Sequence, residues 1–515
     1  MSKKQTNPLF RSLDETGKGV ISQSDILVRL EKSGIAIGDA RLSGLRQRLE
    51  GLGQATPINE AGFEKLLSDS GSLFDRTVRS ELVIPEFDHF KSEIRKIFDE
   101  VTENRSGEVA DYIPQLARVP GDKFAVSICT IDGQRIALGD VDDPFTLQSS
   151  CKPMLYCAAL EEHGEEKVHA HVGREPSGLS FNELTLNKGG LPHNPMINAG
   201  AIMSSSLIRR DLPTADRLEY LNGLVTALSG NRTPGFNNAV FHSERETADR
   251  NFALAHHMRE RGAFPDDTDI RSTLDYYFSA CSIEVDAGSM SAIGATLANG
   301  GVCPLTGERV FAEETVKNCL SMMYSCGMYD YSGEFAFTVG IPAKSSVSGV
   351  VIAVIPNLMG IAVWSPRLDS CGNSVRGVEF LKKLVGRFCF HNYDSLVESR
   401  KLDPRRVRQE RTTNSTFQAI YAASVGDIDE LKRLVAHGHH LDSADYDGRT
   451  PLHLAAAEGQ VETVRYLLNQ RVTTEPTDRW GNTPVNDAVR HKRDDVVKML
   501  ARPGGRKQAR AKKVA

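Results

Sequence analysis

Residues 145–153 read Phe145-Thr-Leu-Gln-Ser149-Ser-Cys-Lys152-Pro153, and they stand where a predicted sheet gives way to a long helical region. Ser149 and Lys152 are three positions apart, so on a helix they share one face. A hydroxyl beside a base suits nucleophilic acyl transfer, because a buried lysine can lose its proton through desolvation. The spacing alone is weak, since Ser-x-x-Lys occurs by chance and a capping serine with a surface lysine also explains it.

The surrounding pattern predicts an α+β domain over residues 109–396. Apolar runs at 124–129 and 136–138 flank Asp132-Gly133, a dipeptide typical of a tight hairpin turn. A second hairpin is predicted over 350–364, where Pro356-Asn357 divides another apolar run. Helical patterns at 215–228 and 290–298 lie between the two hairpins. An antiparallel sheet with a large helical insertion accounts for this order.

Two further segments could complete a nucleophilic site. Residues 340–349 carry Lys344 into a predicted strand, as the Lys-Thr-Gly element does in penicillin-recognising enzymes. Tyr329 lies in a Gly-marked loop, where a phenol could relay a proton. The alternative for Tyr329 is a half-buried aromatic side chain whose hydroxyl is satisfied locally.

Across residues 109–396 the chain resembles the serine-dependent glutaminases, and its layout is similar to that of the kidney- and liver-type enzymes. The motifs that carry the resemblance are Tyr112-Ile-Pro-Gln-Leu-Ala, Gln148-Ser149 with Lys152-Pro153, Glu175-Pro-Ser-Gly-Leu, His193-Asn-Pro-Met-Ile-Asn198-Ala-Gly-Ala, Ser243-Glu244-Arg-Glu, Asp249-Arg-Asn251-Phe-Ala, Asp275-Tyr-Tyr277-Phe, Cys326-Gly-Met-Tyr329-Asp and Lys344-Ser. The resemblance implies a catalytic domain of the serine β-lactamase and penicillin-binding type.

The same resemblance implies hydrolysis of L-glutamine to L-glutamate and ammonia through a glutamyl-serine intermediate, without metal or organic cofactor. Ser149 would be the nucleophile of a serine–lysine dyad, and Lys152 and Tyr329 would share the work of general base and general acid. The backbone N–H groups of Ser149 and Val347 would form the oxyanion hole.

Substrate recognition follows from the same resemblance. Glu244 would face the α-ammonium group, since a carboxylate opposite an ammonium is physically apt. Asn198, Asn251, Tyr277 and Tyr112 would hold the α-carboxylate and orient the amide. Taken singly, each of these polar residues is more often structural than functional.

Two features of the domain qualify the resemblance. Related enzymes generally carry Gly where this chain has Ser346, so a side chain there would affect turnover or the pocket wall. Residues 175–190, rich in Gly and polar residues, resemble the mobile lid of the family.

Residues 1–100 are predicted to form an EF-hand-like helical bundle that binds no calcium. Residues 14–25 have the outline of an EF-hand loop, but Thr16 and Lys18 occupy ligand positions and Asp25 replaces the bidentate Glu. The apolar positions that recur at helical spacing are Ile26, Leu27, Leu30, Ile94, Ile97, Phe98 and Val101.

The C-terminal region is predicted to be an all-α stack of ankyrin repeats over residues 414–503. Segments 417–435, 450–468 and 483–500 align at a period of 33, and residues 448–456 read Gly-Arg-Thr-Pro-Leu-His-Leu-Ala-Ala. The first unit lacks Thr-Pro, and the third has Lys492 in place of the inter-helix Gly, as expected of terminal repeats. A charged linker at 397–413 and a basic, solvated tail at 504–515 flank the stack.

The net charge and the apolar runs of the chain limit the kinds of partner that it is expected to bind. The net charge of −5 gives no global basic field, and no apolar run is long enough to span a bilayer, so neither nucleic acid nor membrane is expected. Without a signal or transit peptide the expected location is cytoplasmic, or mitochondrial if the chain is a processed form. The expected partners are L-glutamine, further copies in a homotetramer or homodimer, and a protein bound by the ankyrin repeats.

Two other functions fit parts of the sequence. Another serine amidase, such as a β-lactamase or peptidase, would share the dyad, but no Ser-Asp-Asn element lies between Ser149 and Lys344. A non-catalytic ankyrin scaffold with an inactive enzyme domain would be expected to lack Ser149, Lys152 or Tyr329, and all three are present.

Overall fold

A computed structural model describes residues 7–14, 18–53, 56–69, 71–178, 183–394, 401–406, 408–436 and 439–501. The chain divides into two compact units between Tyr393 and Asp394. Within the described ranges, no helix is both long enough and apolar enough to cross a membrane.

The N-terminal part of the first unit is a helical bundle. Its described helices are α1 (Pro8–Leu13), α2 (Gln23–Lys32), α3 (Ser43–Gly51), α4 (Glu60–Asp69) and α5 (Ser72–Arg79), followed by α6 (Phe87–Thr102). The core of this bundle runs from Phe10 to Leu82 and includes Ile26 and Leu30. Ile21 and Ile58 join its two halves through an antiparallel bridge, with backbone N···O distances of 2.9 and 2.8 Å.

The loop that resembles an EF-hand uses its acids for local hydrogen bonds. Asp14 accepts the backbone N–H groups of Lys18 at 3.1 Å and Gly19 at 2.7 Å. Asp25 accepts the backbone N–H of Ser22 at 2.7 Å in a capping box that begins α2. Both carboxylates therefore already satisfy backbone donors, while Thr16 lies outside the described residues.

The sheets of the first unit are antiparallel. Their strands are β1 (Glu108–Val109), β2 (Ala125–Thr130), β3 (Arg135–Gly139), β4 (Phe145–Thr146), β5 (Gly235–Phe236), β6 (Ile283–Val285), β7 (Ala343–Ser345), β8 (Val350–Ile355), β9 (Met359–Trp364) and β10 (Arg367–Leu368). The main sheet has the order β3-β2-β9-β8-β7, and smaller sheets pair β4-β6-β5 and β1-β10. Both predicted hairpins, β2–β3 and β8–β9, are confirmed.

Helices cover both faces of the main sheet. The described helices are α7 (Pro114–Ala117), α8 (Lys152–His169), α9 (Asn198–Leu207), α10 (Thr214–Leu228), α11 (Asn238–Glu246), α12 (Asp249–Glu260), α13 (Ile270–Cys281), α14 (Ala287–Ala298), α15 (Glu313–Cys326), α16 (Ser332–Thr338) and α17 (Val375–Arg387). On β8, Ile352 faces α14 and its neighbour Val351 faces α17. Because both faces are buried, this strand is apolar throughout and does not alternate.

Glycine allows α14 to approach the centre of the sheet closely. A Cβ atom on Gly360 of β9 would lie 2.1 Å from the backbone N of Ala295 and 2.2 Å from the carbonyl carbon of Gly294. Any side chain there would force the helix away from the sheet. The predicted α+β architecture, with a helical insertion between β3 and β7, is confirmed.

Helix α6 differs from the sequence prediction, which included it in the bundle of residues 1–100. The helix packs against α17 of the catalytic region, and the ring of Phe90 lies 5.2 Å from that of Phe388. At its other end Phe98 stacks on Phe124 at 4.5 Å. Its apolar face thus meets aromatic residues distant in sequence, and helical periodicity cannot reveal such a partner.

The second unit contains stacked helix pairs. Its described helices are α18 (Arg408–Val425), α19 (Ile428–Ala436), α20 (Pro451–Glu458), α21 (Val461–Asn469), α22 (Pro484–Arg490) and α23 (Asp494–Leu500). The first of these begins at Arg408, inside the stretch 397–413 predicted as linker. A polar helical extension carries no apolar period of its own, so the sequence pattern missed it.

Capping explains the repeat motif. Thr450 and Thr483 each begin a helix through a capping box, and proline follows both. His453 completes the first box, and its Nε2 lies 3.2 Å from the carbonyl oxygen of Asn482 in the following repeat. One histidine therefore holds its own turn and contacts the next unit.

Lys492 adopts the backbone conformation that glycine adopts in the other repeats. Its φ angle is +57°, against +81° for Gly426 and +75° for Gly459 at the equivalent positions. A side chain in this left-handed region is strained by roughly 1 kcal/mol. The last repeat is therefore weaker at this turn than its neighbours.

We expect calcium to change neither stability nor activity, because Lys18 would oppose the ion and both acids already hold backbone groups. The measurement is the melting temperature with calcium and with chelator, using magnesium as the control ion. A calcium-dependent rise in melting temperature that disappears in Asp14→Ala would contradict this expectation.

The substitution Lys492→Gly should stabilise the second unit by roughly 0.5–1 kcal/mol, since it relieves a positive φ angle. Denaturant unfolding followed through Trp480 fluorescence measures the change. Lys492→Ala is the control, because it removes the charge and keeps the strain, and it should give no comparable gain. Equal gains from both variants would point to the charge instead.

Candidate active site

The site is built around the short 3-10 turn Gln148–Cys151, which leads directly into α8. Gln148 has a φ angle of +46°, a conformation that non-glycine residues rarely adopt. Ser149 follows it, 8% exposed, and Pro153 lies in the first turn of the helix, where its missing N–H costs nothing. The predicted helix start is confirmed, with the serine just ahead of it.

Ser149 and Lys152 are in direct contact. The Nζ of Lys152 lies 2.6 Å from the Oγ of Ser149 and donates a second bond to Asn198 Oδ1 at 3.0 Å. Lys152 is 1% exposed, and burial lowers its pKa against the opposing effects of Cys281, Cys151 and Glu244. A lysine in this state can give up its proton and act as a base.

Tyr329 is a further buried residue near Ser149. It begins a 3-10 turn, Tyr329–Tyr331, with a φ angle of +54°, and it is buried. Its hydroxyl group lies close enough to the Ser149 side chain and the Val347 backbone N–H for both to oppose a rise in its pKa. Burial raises its pKa above the usual value of a phenol, so the hydroxyl keeps its proton at neutral pH.

Lys344 is a second buried lysine, for which the sequence analysis proposed no role. It is fully buried, and its Nζ donates to the carbonyl oxygens of Gly327 at 3.2 Å and Ser345 at 2.6 Å. The same Nζ lies 4.4 Å from the centroid of the Tyr329 ring. Burial, aided by Lys152, holds the pKa of Lys344 well below its ordinary value. The signal in the sequence that could have identified Lys344 as a site residue is its position at a strand, as in the Lys-Thr-Gly element.

A cluster on one wall joins Tyr112, Gln148 and Glu244. The hydroxyl of Tyr112 lies 2.6 Å from Glu244 Oε1 and 3.0 Å from Gln148 Oε1. Glu244, on α11, is 8% exposed, and burial raises its pKa while the hydrogen bond from Tyr112 opposes the rise. Gln148 was quoted in a sequence motif but not proposed as a site residue.

The remaining polar residues meet at the start of α9. Asn198, the first residue of that helix, donates from Nδ2 to Asn251 Oδ1 at 3.2 Å. The hydroxyl of Tyr277 lies 3.4 Å from Asn198 Oδ1, and its ring lies 5.9 Å from the Nζ of Lys152. Asn198 thus connects the serine–lysine pair to both residues.

A cavity of about 460 Å³ opens beside Tyr329. Pro176, Ser177 and Gly178, which belong to the segment that resembles a lid, line one side of it. The part of that segment at 179–182 lies outside the described residues. Among the residues that the structure describes, no three His, Cys, Asp or Glu side chains are grouped so as to hold a metal ion.

The site combines the chemical groups that one class of reaction requires. A buried lysine of lowered pKa lies 2.6 Å from a serine hydroxyl, and a protonated phenol lies near the same serine. The site therefore brings together a nucleophile, a base and an acid, the groups that acyl transfer through a covalent intermediate requires.

Residues 107–393 match the family model described as Glutaminase. The chain belongs to the glutaminase family. Residues 419–511 match a model of three ankyrin repeats. The family resemblance and the fold class predicted from the sequence are thereby confirmed.

Similar proteins match either almost the whole chain or about two thirds of it. The mitochondrial liver isoform of glutaminase from Mus musculus is 44% identical over 498 residues, which cover 96% of this chain and 83% of that protein. Putative glutaminase 3 from Caenorhabditis elegans is 45% identical over 509 residues, covering 96% and 87%. A glutaminase from Nostoc is 41% identical over 331 residues, covering 64% of this chain and 96% of its own length.

Solved structures resemble the glutaminase region. Probable glutaminase ybaS is 37% identical with a TM-score of 0.55, and the match covers 57% of this chain and 96% of that one. Mglu in its tris and glutamate form is 37% identical with a TM-score of 0.56, covering 58% and 67%.

Proposed function

We propose that this member of the glutaminase family hydrolyses L-glutamine to L-glutamate and ammonia through a glutamyl ester on Ser149. The observation that carries the proposal is the 2.6 Å contact between Lys152 Nζ and Ser149 Oγ in a buried site. Family membership supports the reaction, and the contact supports the residue that performs it. The proposed reaction needs neither a metal nor an organic cofactor.

The pKa directions divide the proton transfers between two residues. Lys152, whose pKa is lowered by burial, takes the Ser149 proton as Oγ attacks the amide carbon of glutamine. Tyr329, whose pKa is raised by burial, is a proton donor, and it protonates the departing ammonia as the C–N bond breaks. The phenolate then recovers a proton from the Lys152 ammonium, and water hydrolyses the ester with the same pair acting in reverse.

The developing negative charge needs donors that are already in place. The backbone N–H groups of Ser149 and Val347 are the proposed oxyanion hole, and the Val347 N–H faces the Tyr329 hydroxyl in this structure. Donors fixed by two separate backbone segments need no reorganisation during the reaction.

Glutamine would be oriented by the polar wall around Tyr112. Glu244 would pair with the α-ammonium group, since its carboxylate is buried and held by Tyr112. Asn198, Asn251 and Tyr277 would supply neutral donors to the α-carboxylate.

The two other functions receive less support. A β-lactamase or peptidase would share Ser149 and Lys152, but the chain belongs to another family. An inactive scaffold would not need Ser149, Lys152 and Tyr329 to be in contact.

Three expectations stay predictions: the homotetramer or homodimer, the protein partner of the ankyrin repeats and the cytoplasmic location. Two mammalian relatives are named as mitochondrial.

Replacing Ser149 with alanine should lower kcat for glutamine at least about a thousandfold, as expected when a nucleophilic unit loses its nucleophile. Ammonia release measures activity, and circular dichroism and melting temperature show that the variant folds. A glutamyl ester trapped on Ser149 of the wild type would be the positive counterpart. Near-normal ammonia release by the folded variant would contradict the mechanism.

The pH dependence follows from Lys152. A base must be unprotonated, so kcat/KM should fall about tenfold per pH unit below its pKa. Since burial lowers that pKa from its ordinary value of 10.5, this acid limb should lie below pH 10.5. In the control Lys152→Arg the side chain stays protonated, so activity should be lost at every pH. Substantial activity of that variant would exclude Lys152 as the base.

A further inference from the structure

Ser346 connects the two backbone segments that carry the proposed oxyanion donors. It lies between β7 and β8, immediately before Val347, and it is fully buried. Its Oγ donates to the carbonyl oxygen of Leu147 at 2.8 Å. Leu147 lies two residues before Ser149, so one side-chain hydrogen bond spans from one donor segment to the other.

The carbonyl oxygen of Leu147 accepts hydrogen bonds from both segments. The backbone N–H and the Oγ of Ser150 reach it at 2.9 and 2.6 Å, and Ser346 Oγ is the third donor. This carbonyl precedes Gln148, whose φ angle is positive. The contact therefore acts at the start of the strained turn that sets the direction of the Ser149 N–H.

The backbone of Ser346 is fixed as well. Its N–H donates to Val350 O at 2.9 Å, and its carbonyl accepts the N–H of Gly349 at 2.9 Å. Ser348 Oγ lies 3.0 Å from Ser346 Oγ, and since Ser346 donates its one hydroxyl proton to Leu147, Ser348 is the donor in this pair. The loop that carries Val347 is thus closed on itself, and the bond to Leu147 attaches it to the nucleophile turn.

We propose that Ser346 is a positioning residue that holds the Ser149 and Val347 backbone N–H groups at a fixed separation, through its hydrogen bond to Leu147. The proposal rests on the function proposed above. A glycine at this position could not form the link between the two halves of the proposed oxyanion hole, because the link is the side-chain hydroxyl itself. Because the oxyanion exists only along the reaction path, the link should affect the transition state more than the bound substrate.

The test compares Ser346→Ala with Ser348→Ala in the full-length protein. Both changes remove one buried hydroxyl, two residues apart, but only the first removes the bond to Leu147. Ser346→Ala should lower kcat about three- to tenfold with KM within about twofold, the loss expected for one neutral hydrogen bond. Ser348→Ala should keep kcat within about twofold. Ser346→Cys, which retains a weak donor, should fall between Ser346→Ala and the wild type.

Two further readouts separate positioning from a general structural effect. The dissociation constant of glutamate should stay within about twofold in Ser346→Ala, since the product contains no tetrahedral oxyanion. The acid limb of kcat/KM should not move, since Lys152 keeps its surroundings. A wild-type kcat in Ser346→Ala would overturn the proposal, and so would equal losses in kcat and glutamate affinity.

The outcome for Ser346 is distinguishable from the outcome for the function. If the wild type releases no ammonia from glutamine, or if Ser149→Ala retains activity, the proposed function fails. If the wild type is active, Ser149→Ala is inactive and Ser346→Ala is unimpaired, only the positioning role fails.

Discussion

Burial of the Lys152 ammonium group against Ser149 is the constraint on which the rest of the site depends. A charged lysine removed from water loses several kcal/mol of solvation unless partners compensate. The structure supplies an oxygen from Ser149 and one from Asn198, which is enough to orient the group and too little to hold its charge. The pKa therefore falls. The cost of enclosing this side chain is what suits it to the role of base that we propose for it.

That enclosure requires strained backbone. Gln148 and Tyr329 both have positive φ angles, and such residues cost about 1–3 kcal/mol each. They lie on either side of Ser149, on turns held by elements far apart in sequence. Leu147, just before the first turn, bonds to β6 through its N–H, and its carbonyl collects the hydroxyls of Ser150 and Ser346. The sheet and the insertion together keep both turns in conformations that neither would adopt alone.

Local signals in the sequence predicted the parts of the fold that local physics determines. The Asp132-Gly133 turn, the division of the second hairpin at Pro356 and the Thr-Pro helix starts can each be recognised from neighbouring residues alone. The partner of α6 depends on Phe388 and Phe124, so no local pattern revealed it. The same limit applies to the site. Spacing alone paired Ser149 with Lys152, but the substrate-binding residues were joined to them only through family resemblance, and Lys344, buried by long-range packing, was given no role in the reaction.

The same electrostatics bear on product release. Glutamine has no net charge at neutral pH, whereas glutamate carries one additional carboxylate beside Ser149. A protonated Lys152 would hold that carboxylate through a charge-assisted hydrogen bond, which is about twice as strong as a neutral one. Burial lowers the pKa of Lys152, which weakens this attraction, and it also depresses the pKa of Lys344. In the proposed mechanism, the burial that makes Lys152 a base therefore also favours release of the anionic product.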